Sequence, residues 1–240
     1  MKRNQGMSTV FKVAATGILI FFFSVAAVVP ARADDYSVKA QGLVDKSRIT
    51  FESFMADPGM TWIHEHLKDA KGVMIVPQML KAGLIIGGSG GSGVFLAHDE
   101  KTGEWSEPAF YTIGSVSFGL QIGASAAEIV MLVMSNNAVN ALLKTGVNIG
   151  GDVSAAIGPT GAGAGAKGII ADIISFARAK GAYLGASIEG AVVDTGDSMN
   201  DAYYGQRVTP EDILIKNAVS NPKSTELREA LKKTAQEKKD

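Results

Sequence analysis

Cysteine is absent from all 240 residues, which excludes disulfides, thiolate metal sites and a lipid-bearing cysteine at the head of a mature chain. Histidine is nearly absent, with three at positions 64, 66 and 98. His64 and His66 are two apart and point about 200° away from each other on a helix, so they cannot share a metal. His98 stands beside Asp99-Glu100, and the plainer reading of all three is surface or half-buried histidines with no metal bound. Ser89 and Ser92 fall in an expected Gly-Ser turn with no base beside them, and the chain has no Gly-Lys-Ser/Thr ending of a P-loop, so neither a nucleophile with an adjacent base nor a phosphate-gripping lysine stands out. An excess of positive charge is missing too. Lys and Arg number 23 against 24 Asp and Glu, which leaves no positive footprint for sequence-independent nucleic-acid binding. No cofactor is expected.

Acid is missing from the first 33 residues, which carry Lys2, Arg3, Lys12 and Arg32 around an apolar run from Val13 to Val29. A basic start, an apolar core and a small-x-small site at Ala31-Arg32-Ala33 read as a secretory signal peptide over residues 1–33, cut between Ala33 and Asp34. An uncleaved membrane anchor is the alternative reading of the same run. Removing the leader takes four basic residues and no acid, leaving about 207 residues at a net charge of −5, ample for one domain and short for two. The protein is thus expected to be exported and, in a Gram-negative source, periplasmic.

Glycine is scarce at both ends and dense between them. Of 28 glycines, 24 fall between Gly72 and Gly205 and none in the last 35 residues. In residues 34–70, Val38, Leu43, Val44, Ile49, Phe51 and Phe54 fit an amphipathic helix imperfectly, and Asp57-Pro58 caps a second helix with Trp62, Ile63, His66 and Leu67 on one face. The stretch from 71 to 215 reads as a glycine-rich β core. Val73–Pro77 is a short buried run, 83–98 reads as two strands about a Gly-Ser turn, and Val116, Phe118, Leu120 and Ile122 share an apolar face opposite small residues. The same texture recurs at 146–158 and 182–194, which implies a strongly curved sheet, since glycine in a strand costs stability unless the strand bends or another backbone comes near. One helical turn at 135–144 is expected to be capped by Ser135, with Val139, Leu142 and Leu143 inward. Thr209-Pro210-Glu211-Asp212 starts another helix, and residues 216–240 form a charged terminal helix and tail.

Two glycine stretches match the spacing of a dinucleotide fingerprint, Gly163 to Gly168 and Gly88 to Gly93. The first is followed by IIADIISFA, whose apolar residues show a helical pattern; the second runs directly into a strand. A bare fingerprint is a weak signal in a chain this rich in glycine, and no nucleotide is expected. The basic residues are more informative. Lys71 and Lys81 flank the first core strand, and Lys167, Arg178 and Lys180 bracket the IIADIISFA segment. Lysines beside apolar and aromatic surface are the ingredients of an anionic-lipid contact, with Trp62 and Trp105 as aromatic candidates; ordinary solvated lysines round a buried strand are the competing reading.

Several stretches together, AKGVMIVP, the run from Lys81 to Met134, GVNIGGDVSAAIGP, YLGASIEGAVV and NDAYYG, resemble in order and spacing the lipid-binding SYLF domain, also known as an actin-binding domain in eukaryotes. The likeness runs from about Val38 to Ile215, and its specific marks are Gly-x-Trp-Ser-x-Pro at Gly103–Pro108 and Tyr203-Tyr204-Gly205. The resemblance implies a non-catalytic protein that binds an anionic phospholipid or membrane surface. Two departures stand out. A leader replaces the basic amphipathic N-terminal segment of eukaryotic members, and Phe176-Ala177-Arg178 stands where many members have a Tyr-Ser pair. Actin is not expected outside a cytoplasm. The expected fold is α+β, an N-terminal helical pair and a C-terminal helix packed on a strongly curved or barrel-like antiparallel sheet.

Overall fold

The computed structural model describes residues 31–83, 86–118, 123–161, 169–179, 182–184 and 188–237. Helix α1 (Ala31–Met55) leads through a 3-10 turn at Pro58–Met60 into α2 (Thr61–His66) and a second 3-10 turn at Leu67–Asp69. Strands β1 (Gly72–Gly83), β2 (Ile86–Asp99), β3 (Glu104–Trp105), β4 (Ala109–Phe118) and β5 (Gly123–Val133) follow, then α3 (Asn136–Leu142) and the short strands β6 (Val147–Asn148) and β7 (Ala155–Ile157). Next come β8 (Ile173–Ala179), β9 (Ala182–Leu184), β10 (Val192–Thr195), α4 (Asp197–Tyr204) and α5 (Pro210–Leu214). A 3-10 turn at Pro222–Ser224 and α6 (Thr225–Gln236) end the described chain.

Among the described residues, ten strands form one curled, half-barrel sheet in the order β6-β10-β4-β2-β1-β5-β8-β7, with β3 on β2 and β9 on β8. The α+β class and the curvature are as expected from the glycines. The sheet is mixed rather than purely antiparallel, because β7 runs parallel to β8. Fifteen residues separate Ile157 of β7 from Ile173 of β8, and a parallel pair needs a long connection rather than a tight turn.

Helix starts were legible from their caps. Asp57 accepts the Gly59 N–H at 2.8 Å but caps the 3-10 turn at Pro58–Met60, α2 itself starting at Met60 with no side-chain cap; Ser135 accepts the Ala138 N–H at 3.1 Å, and Thr209 and Asp212 form a reciprocal capping box ahead of α5. Asp172 fastens the α3 cap from outside, accepting from Ser135 Oγ at 2.5 Å and from Ser154 Oγ at 2.7 Å. Helix α1 buries Ala40, Val44, Ser47, Phe51 and Phe54, while Val38 and Ile49 are exposed. Its buried stripe therefore runs through small residues that a search for large apolar side chains passes over.

The glycine-rich stretch Gly88–Gly93 is not a turn but the middle of β2. Strand β1 carries a bulge at Val76-Pro77, where its register against β2 jumps from Ile75↔Val94 to Gln78↔Ser92. A Cβ at Gly93 would lie 2.4 Å from the Ile75 carbonyl oxygen, and one at Gly91 would lie 2.5 Å from that of Gln78. Glycine at these two positions lets the bulge press against β2. The helical pattern read at 169–177 is also overturned: Ile173–Ala179 is a strand with Ile173 to Ala177 all buried. A strand covered on both faces shows no alternation, so its apolar run imitates a helix.

Two cores flank the sheet. One face packs Val73, Ile75, Phe110, Val130 and Phe176 against Phe51 and Phe54 of α1, Ile63 of α2 and Leu227 and Leu231 of α6. The other packs Met74, Phe95, Tyr111, Ile129 and Met131 against Val139 and Leu142 of α3 and Ile213 of α5. We call these the helix face and the far face.

Candidate functional site

Arg178 lies on the helix face of β8, opposite Glu128 of β5. Its guanidinium donates to Glu128 Oε2 at 2.6 Å and to Ser53 Oγ of α1 at 2.7 Å, and stacks 4.7 Å from the Phe54 ring centroid. Asp57 lies 3.9 Å away. With a side chain only 14% exposed, Arg178 is a clamp between α1 and the sheet rather than a solvent-facing charge. Lys167 and Lys180, expected to share its rim, lie outside the described residues.

The tryptophans are core residues. Trp62 is 6% and Trp105 2% exposed; His66 stacks on Trp62 and His98 on Trp105 at ring separations of 3.9 and 4.4 Å. Each histidine ring also donates to a backbone carbonyl, His64 to Met55, His66 to Trp62 and His98 to Ala70. Among the described residues no cluster of three potential ligands could hold a metal ion. Lys71 is paired with Glu100 at 2.5 Å. Ala33 and Asp34 fall in the first turn of α1.

Of the long glycine loop, Gly158 to Gly161 is described, and two of its N–H groups are already engaged: Gly158 donates to the Ser175 carbonyl and Gly161 to that of Gly59. A Cβ on Gly158 would sit 2.1 Å from the Phe176 ring, so glycine there makes room for Phe176. The segment behind the loop is β8, which offers no helix N-terminus to a phosphate.

A polar knot ties the C-terminus to the sheet. Glu107, with a side chain 5% exposed, accepts from Arg228 at 3.1 Å, Ser224 at 2.7 Å and Ser220 at 3.2 Å. Tyr204 donates to the Pro108 carbonyl, and Asn200 accepts the Phe110 N–H. Burial raises the Tyr204 hydroxyl above its ordinary value, with the Glu107 charge adding to it.

One region of the helix face is left open. Beyond the β1 bulge the register sets Ala126, Leu80, Gly90, Gly114 and Val192 side by side across five strands. All five are exposed, Leu80 by 54%, and Val116, one step further on β4, by 69%. Of the apolar face expected at Val116, Phe118, Leu120 and Ile122, Val116 stands in solvent on the helix face, and Leu120 and Ile122 lie outside the described residues. Between α1 and this region runs a groove of about 650 Å³ lined by Lys46, Ile49, Thr50, Gln78, Ala126 and Glu128, among others. On the far face of the same strands, Lys81 stands in register between Ser89 and Ser125, and Ser89 bonds Ser115 at 2.7 Å.

The family model of Ysc84, described as a Las17-binding protein actin regulator, matches residues 114–234, from within β4 to α6. The chain belongs to the Ysc84 family. This is the SYLF assignment that its sequence motifs pointed to. The Ysc84-family chain is 32% identical over 154 residues to LAS seventeen-binding protein 3 of Saccharomyces cerevisiae, covering 62% of this chain and 33% of that protein. It is 34% identical to the SH3 domain-containing protein PJ696.02 of Schizosaccharomyces pombe over 62% of this chain and 35% of the other. The human SH3 domain-containing YSC84-like protein 1 is 30% identical over 166 residues, 68% of this chain and 48% of the human one. The chain therefore spans between a third and a half of the length of these curated relatives.

Sequence reasoning found the two marks of this Ysc84-family fold but not what joins them. Glu107 occupies the second unspecified position of Gly-x-Trp-Ser-x-Pro, and its partners come from the C-terminal segment, Arg228 of α6 and Ser224 of the 3-10 turn before it. Lys46 was missed because it sits on α1, away from the glycine-rich strands.

Proposed function

We propose that this Ysc84-family protein is a non-catalytic lipid-binding protein of the bacterial envelope, exported by the leader at 1–33 and working at a membrane surface. The observation that carries the reading is the open end of the helix face, where Leu80 and Val116 stand exposed on a floor of glycine. Exposed large apolar residues grouped on one face mark a surface that some other apolar matter covers. Lys46 and Lys81 lie on the two sides of the same strands, and ammonium groups near an anionic bilayer each contribute about 1 kcal/mol. Arg178 leaves the set of proposed lipid contacts, since its guanidinium is held by Glu128 and Ser53.

Flotation of protein beginning at Asp34 with vesicles of phosphatidylglycerol, cardiolipin or phosphatidylcholine tests the proposal. Binding to the two anionic lipids that weakens in high salt is the expected result. A protein that floats with none of them fits a second reading, a protein-interaction module of the envelope, which the names of the Las17-binding relatives favour.

A further inference from the structure

Glycine on the open face is not explained by the fold. At Gly91 and Gly93 an added Cβ would strike the backbone of β1, but at Gly88, Gly90 and Gly114 it would meet only a neighbouring carbonyl oxygen at 3.7–3.8 Å, an ordinary contact. Glycine inside a strand weakens it and marks places where something else approaches closely. Among the described residues nothing approaches these three from the helix face. They lower the floor between Leu80 on one side and Val192 on the other.

We infer that this floor, together with the groove beside α1, is a seat for one acyl chain of an anionic amphiphile, with Lys46 over its head group. The inference rests on the lipid reading above and makes it narrower, from contact with a surface to uptake of a single molecule. The row from Ala126 to Val192 crosses five strands and is about 19 Å long at the usual strand spacing, whereas an acyl chain in one leaflet spans about 15 Å. Its width is set by Gly88 and Val116 in the next row. Ala126 belongs both to the row and to the 650 Å³ groove, a volume within the range of small-molecule sites. At the groove end the charges select an anion. Glu128 is engaged by Arg178, and no salt bridge involves Lys46 among the described residues. The lysine therefore supplies the net positive charge of the groove mouth. Size argues against a second copy of the chain, because two side-chain rows across five strands make about 270 Å², well short of the roughly 800 Å² per partner of a stable interface.

The test uses protein beginning at Asp34 and lysophosphatidylglycerol below its micelle concentration, followed by calorimetry and native mass spectrometry. One molecule bound per chain is expected. The double variant Gly90→Val with Gly114→Val fills the floor with good strand formers; its melting temperature should stay level or rise while affinity for the probe falls at least tenfold. Leu80→Gln, at an exposed position, should weaken binding in a chain that melts normally, and Lys46→Glu should weaken lysophosphatidylglycerol by about tenfold while sparing lysophosphatidylcholine. Undiminished binding by a folded double variant overturns the inference, as does a dimer that Leu80→Gln dissociates. If the unmutated protein floats with anionic vesicles yet takes up no monomeric probe, the single-chain seat is wrong and the membrane reading stands. If it does neither, both fall.

Discussion

The Tyr204 hydroxyl donates to the carbonyl oxygen of Pro108 at 2.7 Å, joining residues 96 positions apart. It brings the two most specific sequence marks of the family, Gly103–Pro108 and Tyr203–Gly205, into direct contact. Gly205, at a φ of 67°, ends α4 in the left-handed conformation, so the chain turns away as soon as the tyrosine is placed. Tyr204→Phe leaves the carbonyl without its donor and should cost about 1–2 kcal/mol in a denaturant titration.

Alkaline stability follows from the same tyrosines. Burial raises the hydroxyls of Tyr111, Tyr203 and Tyr204, with Glu107 adding to the last two and Asp197 to the first. A raised folded value means that the contribution is complete below the unfolded value, about 10, and is lost as pH climbs above it, because the unfolded chain ionises first. Melting temperature should hold up to about pH 10 and then fall, and less steeply in Tyr204→Phe.

Glu107→Ala should be the more damaging change at this junction. It leaves Arg228 without its carboxylate partner and the Ser220 hydroxyl without its acceptor, while Ser224 keeps only the Asn221 carbonyl. A loss of about 3 kcal/mol is expected, with early exchange of the α6 amides, since this knot and the packing of Leu227 and Leu231 hold that helix down. Equal protection of α6 amides in the variant and the unmutated chain would contradict the assignment.

Arg178→Glu should destabilise the domain rather than merely alter its surface. The new carboxylate would face Glu128 and approach Asp57, at a cost of at least about 2 kcal/mol. A circular-dichroism melt checks this, and an unchanged melting temperature would return Arg178 to the pool of surface cations.

Acid should loosen the α3 cap. Hydrogen bonds from Ser135 and Ser154 hold the Asp172 carboxyl below its usual range. A lowered folded value gives stability that is present above the unfolded value, near 4, and lost as pH falls through the folded one. Asp172→Asn should therefore cost on the order of 1 kcal/mol at neutral pH, as lost hydrogen bonds to a charged group do, and the gap between the two proteins should begin to close as pH falls below about 4.

Much of the local structure is written in short-range chemistry. Asp57-Pro58, Ser135 and Thr209-Pro210 announce their helices because a cap is satisfied by N–H groups two or three residues away. Glycine density announces a curved sheet for a similarly local reason, and the family could be read from motif order alone. What the sequence left undecided depends on partners far along the chain. Whether IIADIISFA is helix or strand turns on β5 and β7 lying on either side of it. Trp62 and Trp105 look like membrane aromatics until β8 brings Phe176 to the first and α6 packs on β3, which carries the second, and Arg178 looks like a lipid contact until α1 brings Ser53 and Phe54 to it. The glycines of β2 show the division within one stretch: Gly91 and Gly93 answer a bulge in the neighbouring strand, whereas Gly88 and Gly90 face open space. Composition counts all four alike, and only the placement of β1 separates them.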